Sequence, residues 1–431
     1  MITLPANHHQ RLELNDEVHA RPPDALVAPV RIAFLALFSA DASKESVVAP
    51  ITDLARRFGL KPPEATANHF SADLGPCRVT WERHTEFTRY SFIENSAGDP
   101  PFAKSVMRHL PQAWIDTLPG QVLVAAHLAL VPDEGKPLDL EQLGTAYFDG
   151  NVLIGAHVAD AAATAVTDFR IQSDGFSRVL VLDRGLAPRQ AGRTVQRLLE
   201  IDAYRQLALL TLPIARELTP QLSQPEHALA EISAAMTRPN EAEAPHLLEK
   251  LIQLAAEIES RRSKTFNRFS AANAYYDLVS RRINELRETR IAGVQTFEEL
   301  TERRLAPAMN TCRAVSARQE ALSTRVTQAT QLLSTRVDIA MARQNQSILE
   351  TMNQRATLQL RLQETVEGLS VAAVTYYIVG LVSYVLKGGA AAGWQIKPDL
   401  LTALSIPVVA LIVAAGTRAV RRRLAGNGKS D

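Results

Sequence analysis

The stretch Gly368–Leu386, GLSVAAVTYYIVGLVSYVL, contains no charged residue, and a short Gly/Ala-rich loop separates it from a second such stretch, Leu400–Thr417, LLTALSIPVVALIVAAGT. As a helix the first stretch has about 19 residues and a length of roughly 28 Å, which matches the hydrocarbon core of a bilayer. Pro407 predicts a kink in the second, and membrane helices tolerate such kinks better than soluble ones do. Two uncharged stretches so close together predict a transmembrane hairpin rather than a buried soluble helix.

Basic residues follow the second stretch and predict the orientation of the hairpin. By the positive-inside rule, a cluster of arginines keeps its end of a membrane helix in the cytoplasm. The residues predicted to determine the topology are Arg418, Arg421, Arg422 and Arg423. Because a hairpin returns the chain to the side it came from, we expect a multi-pass protein of the bacterial inner (plasma) membrane with both termini in the cytoplasm.

Composition points away from several classes of protein. The 47 basic and 46 acidic side chains give a formal net charge of +1, so no overall field attracts nucleic acid. Cys77 and Cys312 lack the spacing of a zinc site, which indicates a reduced, cytosolic soluble part. The first residues lack the basic start and apolar run of a secretory signal, so we expect the N-terminus to stay inside.

The N-terminal half has β-rich runs bounded by turn residues, which predict a sheet. The runs are VRIAFLALF from Val30, CRVTWERH from Cys77, TEFTRYSFIE from Thr85, QVLVAAHLALV from Gln121, NVLIGAHVA from Asn151 and SRVLVLD from Ser177. KESVVAPITDLARRFG and AKSVMRHLPQAWIDTL, which lie between runs, have helical spacing. Short gaps between strands favour antiparallel neighbours in an α+β fold, and no glycine-rich phosphate loop follows any predicted strand.

From Pro188 onward the pattern is helical. One amphipathic helix is predicted between His246 and Arg290, and another from near Pro307 to Glu367. The second carries an eleven-residue apolar repeat, which is typical of a straight or slightly right-handed seam, at Val326, Ala329, Leu333, Val337, Ala340, Gln344 and Ile348.

The predicted fold is therefore an α+β N-terminal domain followed by a long antiparallel helical coiled coil and a two-helix C-terminal transmembrane hairpin. The predicted limits are residues 1–220 for the α+β cytoplasmic domain and 240–367 for the coiled-coil stalk. The transmembrane helices take residues 368–386 and 400–417, and a basic cytoplasmic tail takes 418–431.

Few residues suggest a catalytic, metal-binding or ligand-binding role, and each of them has a simpler structural explanation. The N-terminal segment holds His8, His9, Asp16, Glu17 and His19, but their spacing is not that of a metal site and favours a surface segment. Acidic residues recur at turn-like positions, namely Asp149, Asp160, Asp168, Asp174 and Asp183. A basic helical face, with Arg184, Arg189, Arg193 and Arg197, suits an anion, a lipid headgroup or only solvent. Lone Cys312 is expected to be a buried small residue. We therefore predict no catalytic residue, no metal site, no cofactor and no enzymatic activity.

Four segments carry a resemblance to a known family. They are NDEVHARPP (Asn15–Pro23), YFDGNVLIG (Tyr147–Gly155), VQRLLEIDAYR (Val195–Arg205) and RRLAPAMNTC (Arg303–Cys312), in this order before the apolar stretches. They resemble the bacterial family called uncharacterised membrane-anchored protein, over nearly the whole chain. The resemblance implies a domain of unknown function and supplies no catalytic residues.

The layout also resembles that of CorA-type metal-ion channels, with a cytoplasmic α/β domain, a stalk helix, two terminal membrane helices and a basic tail. Those channels carry Gly-Met-Asn after the first membrane helix, where this chain reads YVLKGGAAAGW. As a channel, a homo-oligomer would line its pore with Thr375, Tyr376, Tyr377, Gly380 and Ser383. Because the stretches lack Asp, Glu, Lys, Arg and His, we favour an anchored protein that acts by interaction or assembly, with the oligomeric channel as the alternative and an enzyme third.

Overall fold

The structure, a computed structural model, describes residues 5–12, 14–15, 23–96, 99–135, 137–238, 242–391 and 397–427, with side chains as far as residue 420. The chain divides into two compact units. The first comprises Met1–Arg238 with His246–Thr330, and the second comprises Pro239–Pro245 with Gln331–Asp431.

A mixed sheet forms the centre of the first unit. In the described part of the chain it has nine strands in the order β2-β3-β4-β1-β5-β8-β7-β6-β9. The strands β5 and β8 pair in parallel, whereas every other neighbouring pair is antiparallel. The strands are β1 Val30–Phe38, β2 His69–Asp73, β3 Arg78–Arg83, β4 Phe87–Asn95, β5 Gln121–Pro132, β6 Ile154–Val158, β7 Ala163–Thr167, β8 Ser177–Asp183 and β9 Thr289–Arg290.

Ten α-helices accompany the sheet in the described residues, together with one 3₁₀ turn at Val106–His109 and one π turn at Thr301–Leu305. They are α1 Lys44–Arg57, α2 Gln112–Ile115, α3 Leu140–Tyr147, α4 Pro188–Leu209, α5 Thr211–Gln221, α6 Ser223–Met236, α7 Ala244–Leu286, α8 Phe297–Leu300, α9 Ala306–Ala391 and α10 Pro398–Asn427.

The central strand β1 is buried on both faces, which explains its unbroken apolar sequence VRIAFLALF. Successive side chains of a strand point to opposite faces. Leu35 and its odd-numbered neighbours join a core cluster with α1 and with the buried Trp81 and Trp114. Phe34 faces the other side, near Val195 of α4. The sheet is therefore covered by different helices on its two faces.

Two of the long helices run side by side within the first unit. The Nε atom of Arg262 on α7 lies 3.1 Å from a carboxylate oxygen of Glu320 on α9. Farther along α7, Asn273 accepts a hydrogen bond of 3.0 Å from Nε of Arg313. Residue numbers rise along α7 while those of their partners on α9 fall, so the two helices are antiparallel where they touch.

The long C-terminal helix α9 begins at Ala306, next to the start predicted near Pro307. The short helix α8, which begins at Phe297 with a capping box formed by Thr296 and Glu299, and the π turn lead directly into it. Of the predicted seam, Val326 and Leu333 are almost fully buried, whereas Ile348 is 50% exposed. The seam is thus covered near its start and open farther along.

One predicted helix is wrong. AKSVMRHLPQAWIDTL forms only the 3₁₀ turn Val106–His109 and the four-residue helix α2. Pro111 separates the two, and the preceding Leu110 is extended, with φ −103° and ψ 138°, because a residue before proline disfavours the helical region. The strands β2 and β7 do not appear among the predicted runs.

Candidate functional site

Two helices are long and apolar enough to cross a membrane: Phe297–Ala391, at its C-terminal end, and Pro398–Val420. The apolar windows of the two helices are not packed inside the protein. Thr375 differs from its neighbours because it is only 9% exposed, and its hydroxyl donates to the Val371 carbonyl at 2.7 Å. Tyr376 and Tyr377 are 78% and 72% exposed.

The residues predicted to line a pore do not share one side of the helix. At 100° per residue, Tyr376, Gly380 and Ser383 lie on one face, while Thr375 and Tyr377 are displaced to either side of it. A Cβ added to Gly380 would meet no atom within 4 Å. Of the predicted topology residues, Arg418 is exposed in α10, and the side chains of Arg421, Arg422 and Arg423 lie outside the described part.

The other residues considered from the sequence are dispersed. His8 and His9 are exposed, and Asp16, Glu17 and His19 lie outside the described residues. The described residues contain no group of three or more His, Cys, Asp or Glu side chains that could hold a metal ion. In the basic set, Arg184 pairs with Asp133 and Arg197 pairs with Glu285. Cys312 is buried, and burial raises the pKa of its thiol.

A cleft of about 530 Å³ opens beside the π turn of the first unit, and we call it the turn cleft. Its volume lies in the usual range for small-molecule sites. The lining comes from the loop before β6, the end of β7, the end of α4 and the π turn: Gly150, Asn151, Val152, Ile154, Asp168, Phe169, Arg170, Arg205, Leu209, Gln295, Leu300, Thr301, Arg304 and Leu305.

Asp168 is the buried acid of the turn cleft, with 6% of its surface exposed. One carboxylate oxygen accepts hydrogen bonds from Asn151 Nδ2 at 3.0 Å and from Gln172 Nε2 at 2.7 Å. The other oxygen accepts from the backbone N–H of Arg170 at 3.1 Å. Neutral donors therefore satisfy this carboxylate and fix the loop that follows β7.

Arg205 forms the floor of the turn cleft. Its guanidinium lies 4.4 Å from the centre of the Phe169 ring and pairs with Asp202 at 2.5 Å. Asp202 is 3% exposed and also accepts from the Ser177 hydroxyl at 3.3 Å. The positive charge of Arg205 is thus neutralised within the protein, while its Nε atom is buried and has no hydrogen-bond partner in the described structure.

Several other polar groups around the turn cleft have no partner within the described residues. They are the exposed guanidinium groups of Arg170 and Arg304, the side-chain amide of Gln295 and the hydroxyl of Thr301. Thr301 is only 7% exposed as a residue, but its hydroxyl oxygen is not buried, so this group can exchange a hydrogen bond with a molecule in the cleft.

The backbone around the turn cleft is unusual. Asp149 and Phe169 both adopt a φ of +50°, which is uncommon for residues with a side chain. The π turn Thr301–Leu305 is the other irregular element. Both kinds of feature cost free energy and concentrate at functional sites. Phe169 and the π turn line the turn cleft, and Asp149 precedes the lining residue Gly150, which supports a binding role.

Three of the four segments that carry the family resemblance line the turn cleft. Tyr147–Gly155 supplies the loop before β6, Val195–Arg205 supplies Arg205, and Arg303–Cys312 supplies Arg304. Sequence reasoning named Asp168 only as a turn acid and overlooked the cleft. The available signal was the presence of Asn151, Arg205 and Arg304 within the three segments.

A buried ion-pair network lies between the sheet and the helices. Arg89 of β4 is 8% exposed and pairs with Glu82 of β3 at 2.6 Å and with Glu200 of α4 at 2.8 Å. Glu200 also pairs with Arg282 of α7 at 2.5 Å, and Arg282 pairs with Glu285. The network connects the sheet to two helices that are far apart in sequence.

The network also sets the ionisation of its members. Burial opposes the charge of Glu82, but contact with His84 and the pair with Arg89 outweigh it and hold the pKa of Glu82 at about 2. Burial likewise opposes the charge of Glu200, yet Arg89 and Arg282 lower its pKa. Both carboxylates are therefore charged at neutral pH.

His127 of β5 is a separate buried titratable group. Its ring stacks on Phe176 with centroids 4.0 Å apart. Burial lowers the pKa of His127 to about 4, although Asp174 at 4.0 Å acts in the opposite direction. The imidazole is therefore neutral at physiological pH.

The fold and sites together define an α/β sheet protein with a long C-terminal helix, a final apolar helix and an open cleft of mixed polar and apolar lining in the sheet unit. The sequence profile of the family described as "Protein of unknown function (DUF3422)" matches residues 6–424, so the chain belongs to this family. No curated protein matches the sequence.

Proposed function

We propose that the protein is anchored in the bacterial inner membrane by the apolar end of α9 and by α10, which form a hairpin. The observation that carries the proposal is the exposure of large apolar side chains, such as Leu381 at 66%, Leu411 at 72% and Ile412 at 65%. Exposed apolar surface costs on the order of 25 cal/mol per Å² in water. A bilayer removes that cost and is therefore the environment that suits these helices.

In the proposed topology both termini lie in the cytoplasm, and the segment between α9 and α10 is the translocated part. Arg418 and the arginines that follow it support this orientation, since basic residues favour the cytoplasmic side. The sheet unit then faces the cytoplasm, where we propose that it acts by interaction or assembly without catalysing a reaction.

We also propose that the stalk mediates self-association. Ile348, Met352, Leu362 and Val366 of the stalk are large apolar residues whose side chains are all at least 50% exposed. Exposed apolar surface along a helix is typical of a surface that packs against another protein segment. A second copy of the chain is the proposed partner, and nucleic acid is not.

Membrane extraction tests the anchor. Intact protein is expected to stay with the bilayer after an alkaline carbonate wash, because apolar helices resist conditions that strip peripheral proteins. A chain truncated after Leu362 is the matched control, since it lacks both apolar stretches, and it should be soluble and folded with its own core. Release of the intact protein by carbonate would contradict the proposal, as would aggregation of the truncated chain with loss of helix.

The alternative is an oligomeric, CorA-like ion channel without the Gly-Met-Asn motif. It is supported by the hydroxyl-bearing residues of the first apolar stretch, including Thr375, Tyr377 and Ser383. Purified protein in liposomes should not pass mono- or divalent cations above an empty-vesicle control if the hairpin is only an anchor. Cation flux that disappears in Gly380→Trp would favour the channel, while a monomer in mild detergent would count against it.

A further inference from the structure

We propose that the turn cleft binds a small soluble organic anion, with its carboxylate or phosphate held by Arg304 and Arg170 and its body packed on the apolar wall. The inference is independent of the membrane anchor, because every residue of the cleft belongs to the first compact unit. It assigns to the sheet unit a ligand class that its fold alone does not define.

The positive charge of the cleft lining favours an anionic ligand. Within the described residues Arg304 and Arg170 have no acidic partner, and Asp202 neutralises Arg205. The single carboxylate of the lining, Asp168, is turned to protein donors on both oxygens. Two uncompensated guanidinium groups therefore remain at the opening, and guanidinium groups bind carboxylate and phosphate through paired hydrogen bonds.

The neutral polar groups of the lining indicate where a polar atom of the ligand would bind. Thr301 offers a hydroxyl and Gln295 offers a side-chain amide, and neither has a partner in the described structure. Thr301 is the first residue of the π turn that contains Arg304, and Gln295 lies just before α8, which leads into that turn. A ligand oxygen in this position would complete the hydrogen bonds that the protein leaves unmade.

The opposite wall is apolar and sets the nature of the ligand's body. It consists of Ile154, Phe169, Leu209, Leu300 and Leu305. Burial of a ring or short aliphatic body there adds affinity in proportion to the area removed from water. A cleft of about 530 Å³ has room for such a body but not for two acyl chains of a lipid.

Calorimetric titration of the intact protein in mild detergent tests the assignment, with phenyl phosphate, benzoate and inorganic phosphate as probes. Phenyl phosphate should bind, and it should bind roughly tenfold or more tightly than inorganic phosphate because only its ring contacts the apolar wall. The affinity should fall as salt increases, because exposed charges are screened.

Substitutions in the lining distinguish residues that bind the ligand from residues that only stabilise the fold. Arg304→Gln should weaken phenyl phosphate binding about tenfold or more, whereas the neighbouring Arg303→Gln should leave it unchanged, since Arg303 is equally exposed but does not line the cleft. Thr301→Val keeps the buried volume and should weaken binding several-fold with an unchanged melting temperature.

Three results would overturn the assignment. The first is no binding of either organic probe at millimolar concentration, and the second is equal weakening by the Arg303 and Arg304 substitutions. The third is competition by soluble short-chain phosphatidylglycerol with the affinity of phenyl phosphate, which would point to a lipid headgroup. None of these results depends on whether the chain crosses a membrane.

Discussion

The buried ion-pair network allows a quantitative test of how the sheet is joined to its helices, through the substitution Glu200→Gln. Glu200 is 3% exposed and accepts hydrogen bonds from Arg89 at 2.8 Å, from Arg282 at 2.5 Å and from Gln196 at 2.7 Å. Glutamine has nearly the same shape but carries no charge, and its amide N–H group would face an arginine. One of the two guanidinium groups would then lose its acceptor, and both would lose the negative charge that they share.

The expected loss of stability depends on the ion pairs that remain in the variant. Breaking a buried ion pair by removing one partner costs roughly 3–5 kcal/mol. Arg89 would still pair with Glu82, and Arg282 would still pair with Glu285. The cost should therefore lie at the lower end of this range. We expect Glu200→Gln to lower the free energy of unfolding of the sheet unit by about 3 kcal/mol.

Urea unfolding of the intact protein in mild detergent measures this change through tryptophan fluorescence. Trp81 and Trp114 are fully buried in the core of the first unit. Trp394 is the only other tryptophan in the sequence, and Trp394→Phe in every variant restricts the signal to the sheet unit.

The matched control removes an exposed ion pair from the same unit. Asp53 and Arg57 form an i,i+4 pair on α1 with side chains 48% and 45% exposed. Because solvent screens such a pair, Asp53→Asn should cost no more than about 0.5 kcal/mol. A loss below about 1 kcal/mol for Glu200→Gln, or equal losses for the two variants, would refute the reasoning from buried charge.

Two further predictions concern the sheet unit. Burial holds the pKa of His127 at about 4, below the ordinary 6.5, so the unfolded chain takes up this proton first as the pH falls. Stability should decrease between pH 6.5 and 4 in urea titrations, and His127→Phe should flatten that part of the profile. Gly192→Ala would place its Cβ 1.7 Å from the Asp24 carbonyl oxygen and should destabilise by about 1–3 kcal/mol in the same assay. Gly368→Ala, where no atom lies within 4 Å, should be harmless, and equal effects of the two substitutions would argue against close packing at Gly192.

Local sequence patterns were sufficient for much of the fold. The run VRIAFLALF predicted β1 residue for residue, and KESVVAPITDLARRFG predicted α1. The strand β2 was missed because HFSAD is short and only half-buried, which leaves little alternation to detect. The strand β7 follows three consecutive residues with positive φ, Ala159–Ala161, and no glycine marks that turn. Strands whose limits are set by backbone geometry rather than by residue type could therefore not be predicted from the sequence.

The turn cleft and the ion-pair network could not be predicted in the same way. Arg89 and Glu200 lie 111 residues apart, and Asn151 and Asp168 lie 17 apart, so no local spacing relates them. Only the sheet order, with β8 beside β5 and β7 beside β6, brings the segments together. The apolar stretches were predictable because charge-free length is a property of the sequence itself.

Cysteine labelling in spheroplasts tests the membrane anchor most directly. The native Cys77 and Cys312 are 4% and 2% exposed, and burial raises the pKa of both thiols, so they contribute little background. A membrane-impermeant maleimide is expected to label Ala391→Cys, at the end of α9, in intact spheroplasts. It should label Gln354→Cys, which is exposed on the same helix before the apolar stretch, only after lysis. Equal labelling of the two variants in intact cells, or labelling of neither until lysis, would contradict a hairpin that crosses the bilayer.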